Sequence, residues 1–292
     1  MAKINGTYVS LHENDSNYPY YKGSLEFRDT LCLAEHFVKT GSTCASDTYT
    51  FTDIPKNGGA AEITRESLIE AALSGKFTDK TLFFTESNSA HHLTYFYVKE
   101  AAKHLNPEEL LVVNFDQHLD AGAENNPLYC GSWGGRYICS AVGCDYLVVG
   151  PKNSKDVLKR FDPKFVGPTY DAALYSNCNK DKILWFTNEE LTNICTNYNK
   201  IYVTVDMDIL TNSASPKRTN WGPGYLNDCG PLINFLNLLP AEKIIAADIT
   251  GFPPVDTNQD RETLAMLESY IADIRKTAEA LCSLMGIAPY LD

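Results

Sequence analysis

The chain has little of what stabilises an extracellular protein or anchors a membrane protein. None of its nine cysteines belongs to a CxxC pair, and an odd number cannot all pair within the chain, so we expect a reducing compartment. No run approaches the roughly 18 apolar residues that a membrane span requires. The first residues also lack the apolar core of a signal peptide. These absences predict a cytoplasmic protein that has no membrane partner.

Basic residues are also scarce. The chain has 25 Lys and Arg against 37 Asp and Glu, a net charge of −12 and a pI near 5.0. Nucleic acid as a partner is excluded, because its phosphates need a basic face. The charge is compatible with metal cations and with a cationic substrate. Internal repeats, low-complexity tracts and charged linkers are absent too, so residues 1–292 are predicted to form one domain.

Short apolar, β-rich runs alternate with helical stretches along the chain. Leu110–Val113 and Tyr202–Val205 are continuous or nearly continuous apolar runs, as is typical of parallel strands that are covered on both faces. The pattern predicts an α/β fold with three layers (α/β/α) and a mostly parallel sheet of about eight strands. The predicted strands are Tyr8–His12, Thr48–Phe51, Leu82–Thr85, Leu110–Phe115, Tyr146–Val149, Ile183–Phe186, Ile201–Asp206 and Lys243–Asp248. The predicted helices are Thr30–Lys39, Arg65–Leu73, Ala90–Leu105, Pro231–Leu239 and Asp260–Met285.

Potential metal ligands follow two of these strands directly. Asp116, His118 and Asp120 alternate after one strand, and Asp206 and Asp208 alternate at the end of another. Residues two apart in extended chain share a face, and ligands in parallel sheets bind beyond the carboxyl ends of the strands. Adjacent carboxylates repel one another unless a cation neutralises them. Oxygen ligands together with a histidine favour Mn²⁺ over Mg²⁺.

A sixth ligand could come from His91 or His92. Both follow the predicted strand at Leu82–Thr85 and lie where a helix begins, so they belong to the same edge of the sheet. The residues alone do not decide between the two histidines.

These motifs resemble those of the ureohydrolases: arginase, agmatinase and formiminoglutamase. Asp116–Asp120 is similar to their DAHxD motif, with Gln in place of Ala, and Val205–Leu210 is similar to SxDxDxxDP without the final Asp-Pro. Ser89–Thr94 resembles GGDHSxT, with His91 at the metal-binding histidine. Ala246–Pro254 resembles the DIxExNP strand end.

The resemblance implies an arginase-like hydrolase with two Mn²⁺ ions, which releases urea from a cationic guanidino substrate. Asp120 would hydrogen-bond the attacking water and pass its proton to the leaving nitrogen. Asp116 and Asp206 would bridge the ions. One ion would be held by His91, Asp116, Asp120 and Asp206, and the other by Asp116, His118, Asp206 and Asp208.

Two departures from the family pattern affect the substrate pocket. Gly134 stands where arginases have a proton-shuttle histidine, and Gly251 stands where they have a glutamate that grips the guanidinium group. We expect other residues to take over these functions. The catalytic candidates are His12 and His92, the acidic substrate-binding candidates are Asp248 and Glu124, and Trp133 is a candidate for stacking on the guanidinium group.

The sequence around Asp116 and the Trp133–Arg136 stretch also resemble the peptide arginases, which convert arginine side chains of a ribosomal peptide into ornithine. This resemblance implies a precursor peptide as the partner. Ureohydrolases commonly form trimers or hexamers, so it is also compatible with a homo-oligomer.

Two alternatives remain open. Deacetylases share the predicted architecture and carry a His-His dyad such as His91–His92, but they use a single zinc ion, which would leave Asp120 and Asp208 unexplained. The chain could instead be an inactive, arginase-like regulatory subunit that keeps its metal for stability.

Overall fold

The computed structural model describes residues 7–13, 46–51, 80–85, 91–118, 120, 128, 130–149, 188–210, 226–251 and 261–287. Within these ranges seven parallel strands form one sheet in the order β2-β1-β3-β7-β6-β4-β5. The strands are β1 (Thr7–Glu13), β2 (Ser46–Phe51), β3 (Thr81–Thr85), β4 (Leu110–Phe115), β5 (Asp145–Val149), β6 (Lys200–Asp206) and β7 (Ile244–Thr250). The predicted parallel α/β fold is therefore confirmed. The predicted strand Ile183–Phe186 and the predicted helices Thr30–Lys39 and Arg65–Leu73 lie outside the described residues.

In the described part of the chain, four α-helices accompany the sheet: α1 (Leu93–Ala102), α2 (Asn188–Thr196), α3 (Gly230–Leu236) and α4 (Arg261–Met285). Three of them, α1, α3 and α4, were predicted, and their ends differ by at most three residues from the prediction. The helix α2 and a π-helix at Trp133–Val142 were not predicted. No helix in the described ranges has both the length and the apolar character that crossing a bilayer requires.

Alternation along the central strands divides the core between the two faces of the sheet. Leu111 and Val113 of β4 pack in the cluster that includes α3 and α4. Leu110 and Val112 point the other way, into a cluster formed with α1 and the π-helix. Apolar residues on both faces explain why these strands consist of nearly continuous hydrophobic runs.

The face covered by α1 and the π-helix becomes polar toward the carboxyl ends of the strands. Asn114 of β4 lies in register with Thr204 of β6, which lies in register with Asp248 of β7. All three side chains are fully buried. Because buried polar groups need hydrogen-bond partners, this row must be organised by its neighbours. It lies directly beneath the residues that end β4 and β6.

Candidate metal centre

The two strands that carry the predicted ligands end in the same kind of local turn. Asp116 Oδ1 accepts a hydrogen bond from the His118 backbone N–H at 2.7 Å, and Asp206 Oδ1 accepts one from the Asp208 backbone N–H at 2.9 Å. An Asp side chain that bonds to the backbone two residues later stabilises a turn. Each motif therefore turns directly after its strand, and the Oδ2 atom of each aspartate faces His91.

One group of potential ligands surrounds His91, which precedes α1. Its Nδ1 lies 2.9 Å from Asp120 Oδ2, 3.3 Å from Asp206 Oδ2 and 3.4 Å from Asp116 Oδ2. All four side chains are buried. Three carboxylate oxygens, two from the segment after β4 and one from the end of β6, thus converge on one imidazole nitrogen.

A second group shares Asp116 with the first. His118 Nδ1 lies 3.4 Å from Asp116 Oδ1 and 3.1 Å from Asp208 Oδ2, and the His118 side chain is 35% exposed. The potential ligand atoms within each of the sets His91/Asp116/Asp120 and Asp116/His118/Asp208 lie within 4.8 Å of one another. Hard oxygen donors with one imidazole per set fit a divalent ion such as Mn²⁺ in each position.

The pKa values show how strongly these charges interact. Burial lowers the pKa of both histidines, but the carboxylates outweigh it: the pKa of His91 is well above its ordinary value, and that of His118 is raised to about 12. Burial and the charges of Asp208 and Asp116 raise the pKa of Asp206 to about 8. Burial and the charge of Asp116 raise that of Asp120 to about 6. So many buried carboxylates need compensating positive charge, which either protonated histidines or bound cations supply.

Asp120 is held in an unusual backbone conformation. Its φ is 47°, in the left-handed region that non-glycine residues rarely adopt. The Gly134 backbone N–H donates to the Asp120 carbonyl at 2.9 Å, and Trp133 Nε1 donates to Asp120 Oδ2 at 2.7 Å. The start of the π-helix thus fixes both the backbone and the carboxylate of Asp120, and π-helices are frequent at functional sites.

Trp133 itself is fully buried. Its ring lies 4.7 Å from the ring of His91 and 5.3 Å from that of Tyr146, measured between centroids. The indole therefore faces the ligand residues, and a role in stacking on a substrate stays a prediction.

The remaining predicted site residues lie outside the two ligand groups. Asp248 is fully buried, and burial raises its pKa to about 6 although His91 and three hydroxyl groups oppose the shift. His92 is buried immediately before α1. His12 lies on β1, three strand positions from β6 in the sheet, or about 14 Å at the usual spacing between strands. Glu124 lies outside the described residues.

Both glycines that depart from the family pattern are required by their surroundings. A Cβ atom on Gly134 would lie 2.4 Å from Cζ of Tyr146, so the tyrosine ring fills the space of a side chain at this position. Gly251 has a φ of 94°, which favours glycine, and its carbonyl accepts a 2.5 Å hydrogen bond from the Tyr270 hydroxyl.

A polar layer that includes Asn114 and Thr204 lies beneath the ligands and was not predicted from the sequence. Asn114 Nδ2 donates to Asp116 Oδ2 at 3.1 Å, and the Thr204 hydroxyl lies 3.0 Å from His91 Nε2. Each of these residues stands two positions before a ligand aspartate. The period of two that places side chains on one face of a strand was therefore a usable signal.

Comparisons with known proteins agree with this site. The model of the arginase family matches residues 90–275, a range that contains both ligand groups, and the chain belongs to this family. An uncharacterized protein of Thermotoga maritima is 28% identical over 170 residues, which is 58% of this chain and 57% of that protein. The match thus spans little more than half the length of that relative.

Solved structures of low sequence identity share the fold. Formimidoylglutamase from Bacillus subtilis has a TM-score of 0.60 at 18% identity, covering 98% of this chain and 89% of its own. Proclavaminate amidino hydrolase from Streptomyces clavuligerus has a TM-score of 0.58 at 13% identity, covering 97% and 92%. Entamoeba histolytica arginase has a TM-score of 0.56 at 14% identity, covering 93% and 99%. The predicted arginase-like fold and the membership of the ureohydrolase superfamily are therefore confirmed.

Proposed function

We propose that this arginase-family chain is a dinuclear manganese hydrolase that converts arginine side chains in a peptide into ornithine and releases urea. The observation that carries the proposal is the position of the Asp116 carboxylate. Its Oδ2 faces the Nδ1 atom of His91, and its Oδ1 faces the Nδ1 atom of His118. A carboxylate between two imidazole nitrogens can bridge two cations.

These contacts support the ligand sets that the family resemblance implies. His91, Asp116, Asp120 and Asp206 would hold one ion. Asp116, His118 and Asp208 would hold the other, together with Asp206, which the family resemblance adds as a second bridge. Divalent ions held by these residues would lower the pKa of water toward neutrality and so supply the nucleophile.

The protein's own groups then direct the proton. The overall reaction adds one water to the guanidinium carbon and breaks its bond to the side-chain nitrogen, giving an ammonium group and neutral urea. Asp120 is the group suited to accept the proton of water and deliver it to that nitrogen, because its carboxylate lies among the proposed ligands, 2.9 Å from His91 Nδ1. Trp133 keeps one oxygen of this carboxylate in a fixed direction.

A peptide substrate is supported by the resemblance of Asn114–His118 and Trp133–Arg136 to the peptide arginases. Gly134 and Gly251 leave the site without the shuttle histidine and the guanidinium-gripping glutamate of the arginases, and both are built into the local structure. A binding site for arginine presented on a backbone would rely on different contacts from a site for the free amino acid. The net charge of −12 is compatible with a cationic side chain.

The two alternative functions have less support. A single-ion deacetylase has no use for the second ligand group around His118 and Asp208. An inactive subunit would have no chemical reason to keep Asp120 in a strained conformation aimed at the ligands.

The experiment measures urea release by the purified chain with and without Mn²⁺, using arginine-containing peptides, free arginine and agmatine. We expect Mn²⁺-dependent urea from the peptides, and loss of at least two orders of magnitude in Asp206→Ala, a change that removes a proposed bridging ligand. Urea from free arginine alone would contradict the peptide assignment. Acetate release from acetylated substrates, or metal-loaded protein without any activity, would support the respective alternatives.

A further inference from the structure

The buried carboxylate of Asp248 is surrounded by hydroxyl groups. Its Oδ1 accepts hydrogen bonds from Thr204 at 2.8 Å and Thr94 at 3.1 Å, and its Oδ2 accepts one from Tyr202 at 2.9 Å. With no exposed surface, the carboxylate has no route to a substrate. Both oxygens are used within the protein, so the predicted role in gripping a guanidinium group does not fit this geometry.

Only one of the three hydroxyl groups also contacts a proposed metal ligand. The Thr204 hydroxyl lies 3.0 Å from His91 Nε2. A hydroxyl group has a single hydrogen, and the Thr204 hydrogen is committed to Asp248 because a carboxylate only accepts. Thr204 must therefore accept from His91, so the Nε2 atom of His91 carries a hydrogen.

This assignment determines the other ring nitrogen. A neutral imidazole that is protonated at Nε2 has its lone pair at Nδ1. That nitrogen faces Asp116 and Asp120 at 3.4 and 2.9 Å. The hydrogen bonds from His91 to Thr204 and from Thr204 to Asp248 thus leave the Nδ1 lone pair available to a metal ion.

We propose that Asp248 and Thr204 are positioning residues that hold His91 in its Nε2–H tautomer, with Nδ1 directed at the first metal position. The inference rests on the proposed function, because it assumes a metal ion at His91. Hydrogen bonds to the second nitrogen of ligating histidines fix the tautomer and the ring orientation, and their loss typically weakens metal binding by about 10–100-fold.

The three hydroxyl groups provide matched variants. Thr204→Val removes the hydroxyl group that connects Asp248 to His91 and keeps the branched shape, and Thr204→Ser restores a hydroxyl group. Tyr202→Phe removes a different hydrogen bond to the same carboxylate but does not alter a contact of His91. If Asp248 has only a general structural role, Thr204→Val and Tyr202→Phe should both weaken metal binding. If Asp248 positions His91 through Thr204, only Thr204→Val should weaken it.

The experiment measures Mn²⁺ stoichiometry and affinity by calorimetry and elemental analysis on the full chain, with circular dichroism to confirm folding. We expect two ions in the wild type and about 10–100-fold weaker binding of one ion in Thr204→Val. Binding should stay within about threefold of wild type in Thr204→Ser and Tyr202→Phe, and the ion at His118 should be unchanged in all variants. Should Thr204→Val not fold, Thr204→Ala removes the same hydroxyl group and provides the same test, with one weakened ion expected.

Each outcome is decisive. Equal weakening in Thr204→Val and Tyr202→Phe, or wild-type binding in Thr204→Val, would overturn the positioning role while leaving the proposed function intact. A wild-type protein that takes up no Mn²⁺ would overturn the proposed function and this inference together.

Discussion

The hydrogen bond between Trp133 and Asp120 offers a sharp test of how the site is organised. Trp133→Phe keeps an aromatic ring beside His91 but removes the Nε1 donor, which lies 2.7 Å from Asp120 Oδ2. Both residues are buried, so the carboxylate cannot gain water as a replacement without rearrangement. A hydrogen bond to a charged group contributes about 1.5–3 kcal/mol, and the smaller ring costs about 1 kcal/mol more.

We therefore expect the free energy of unfolding of the metal-free protein to fall by about 2.5–4 kcal/mol, measured by urea unfolding followed by circular dichroism. If Asp120 moves the proton, the loss of the same hydrogen bond should also lower the rate of the reaction. About 1.4 kcal/mol corresponds to a factor of ten, so kcat should fall by about 10–100-fold with little change in KM. Steady-state kinetics with urea as the measured product check this expectation.

The opposite kinetic pattern would refute this reasoning. If Trp133 stacks on the guanidinium group, Trp133→Phe should raise KM, because stacking acts on substrate binding, and should leave kcat nearly unchanged. A double-mutant cycle with Asp120→Asn separates the hydrogen bond from the loss of ring volume. We expect the effect of the tryptophan change on unfolding to be smaller in the Asp120→Asn background, since a neutral amide is a weaker acceptor.

Three further predictions concern the metal and the glycine beneath the site. Mn²⁺ uptake near pH 7.5 should release protons from His91 and His118, because the pKa values of both histidines are raised without metal. The affinity for Mn²⁺ should therefore increase with pH. Binding that does not depend on pH in calorimetry would contradict this expectation. Asp208→Ala should lower the Mn²⁺ content from two ions toward one per chain by elemental analysis; two retained ions would exclude Asp208 as a ligand. Gly134→Ala should lower the free energy of unfolding by about 1–3 kcal/mol, because its Cβ would overlap the ring of Tyr146; an unchanged denaturation midpoint would argue against this packing.

The sequence predicted the strands best where both faces are buried. Leu110–Phe115 was predicted with the bounds that the structure has, because its hydrophobic run has clear limits. The π-helix at Trp133–Val142 was missed because Gly134 and Gly135 disfavour a helix. The missed helix α2 begins with Asn188 followed by two glutamates, a usable N-terminal signal.

The proximity of the ligands and the positions of Asn114 and Thr204 could be predicted, but the contact between Thr204 and Asp248 could not. Asp116 and Asp206 end long buried strands, and the carboxyl ends of parallel strands meet at one edge of a sheet. The contact between Thr204 and Asp248 depends on β6 pairing with β7 in one particular register, although the two strands are separated by a helix in the sequence. Nothing local specifies that register, so Asp248 was assigned to the substrate and not to His91.

At the two glycines that depart from the arginase pattern, the surrounding structure is also adapted to the missing side chain. At Gly134, the ring of Tyr146 occupies the space of a Cβ atom, and the Tyr146 hydroxyl accepts a hydrogen bond from Asn114. Asn114 also donates to Asp116, so the residue that excludes a side chain at 134 is connected to the proposed bridging ligand. At Gly251, the left-handed backbone itself disfavours a glutamate. Restoring either family residue would therefore disturb the support of the proposed ligand Asp116 or the backbone at the end of β7.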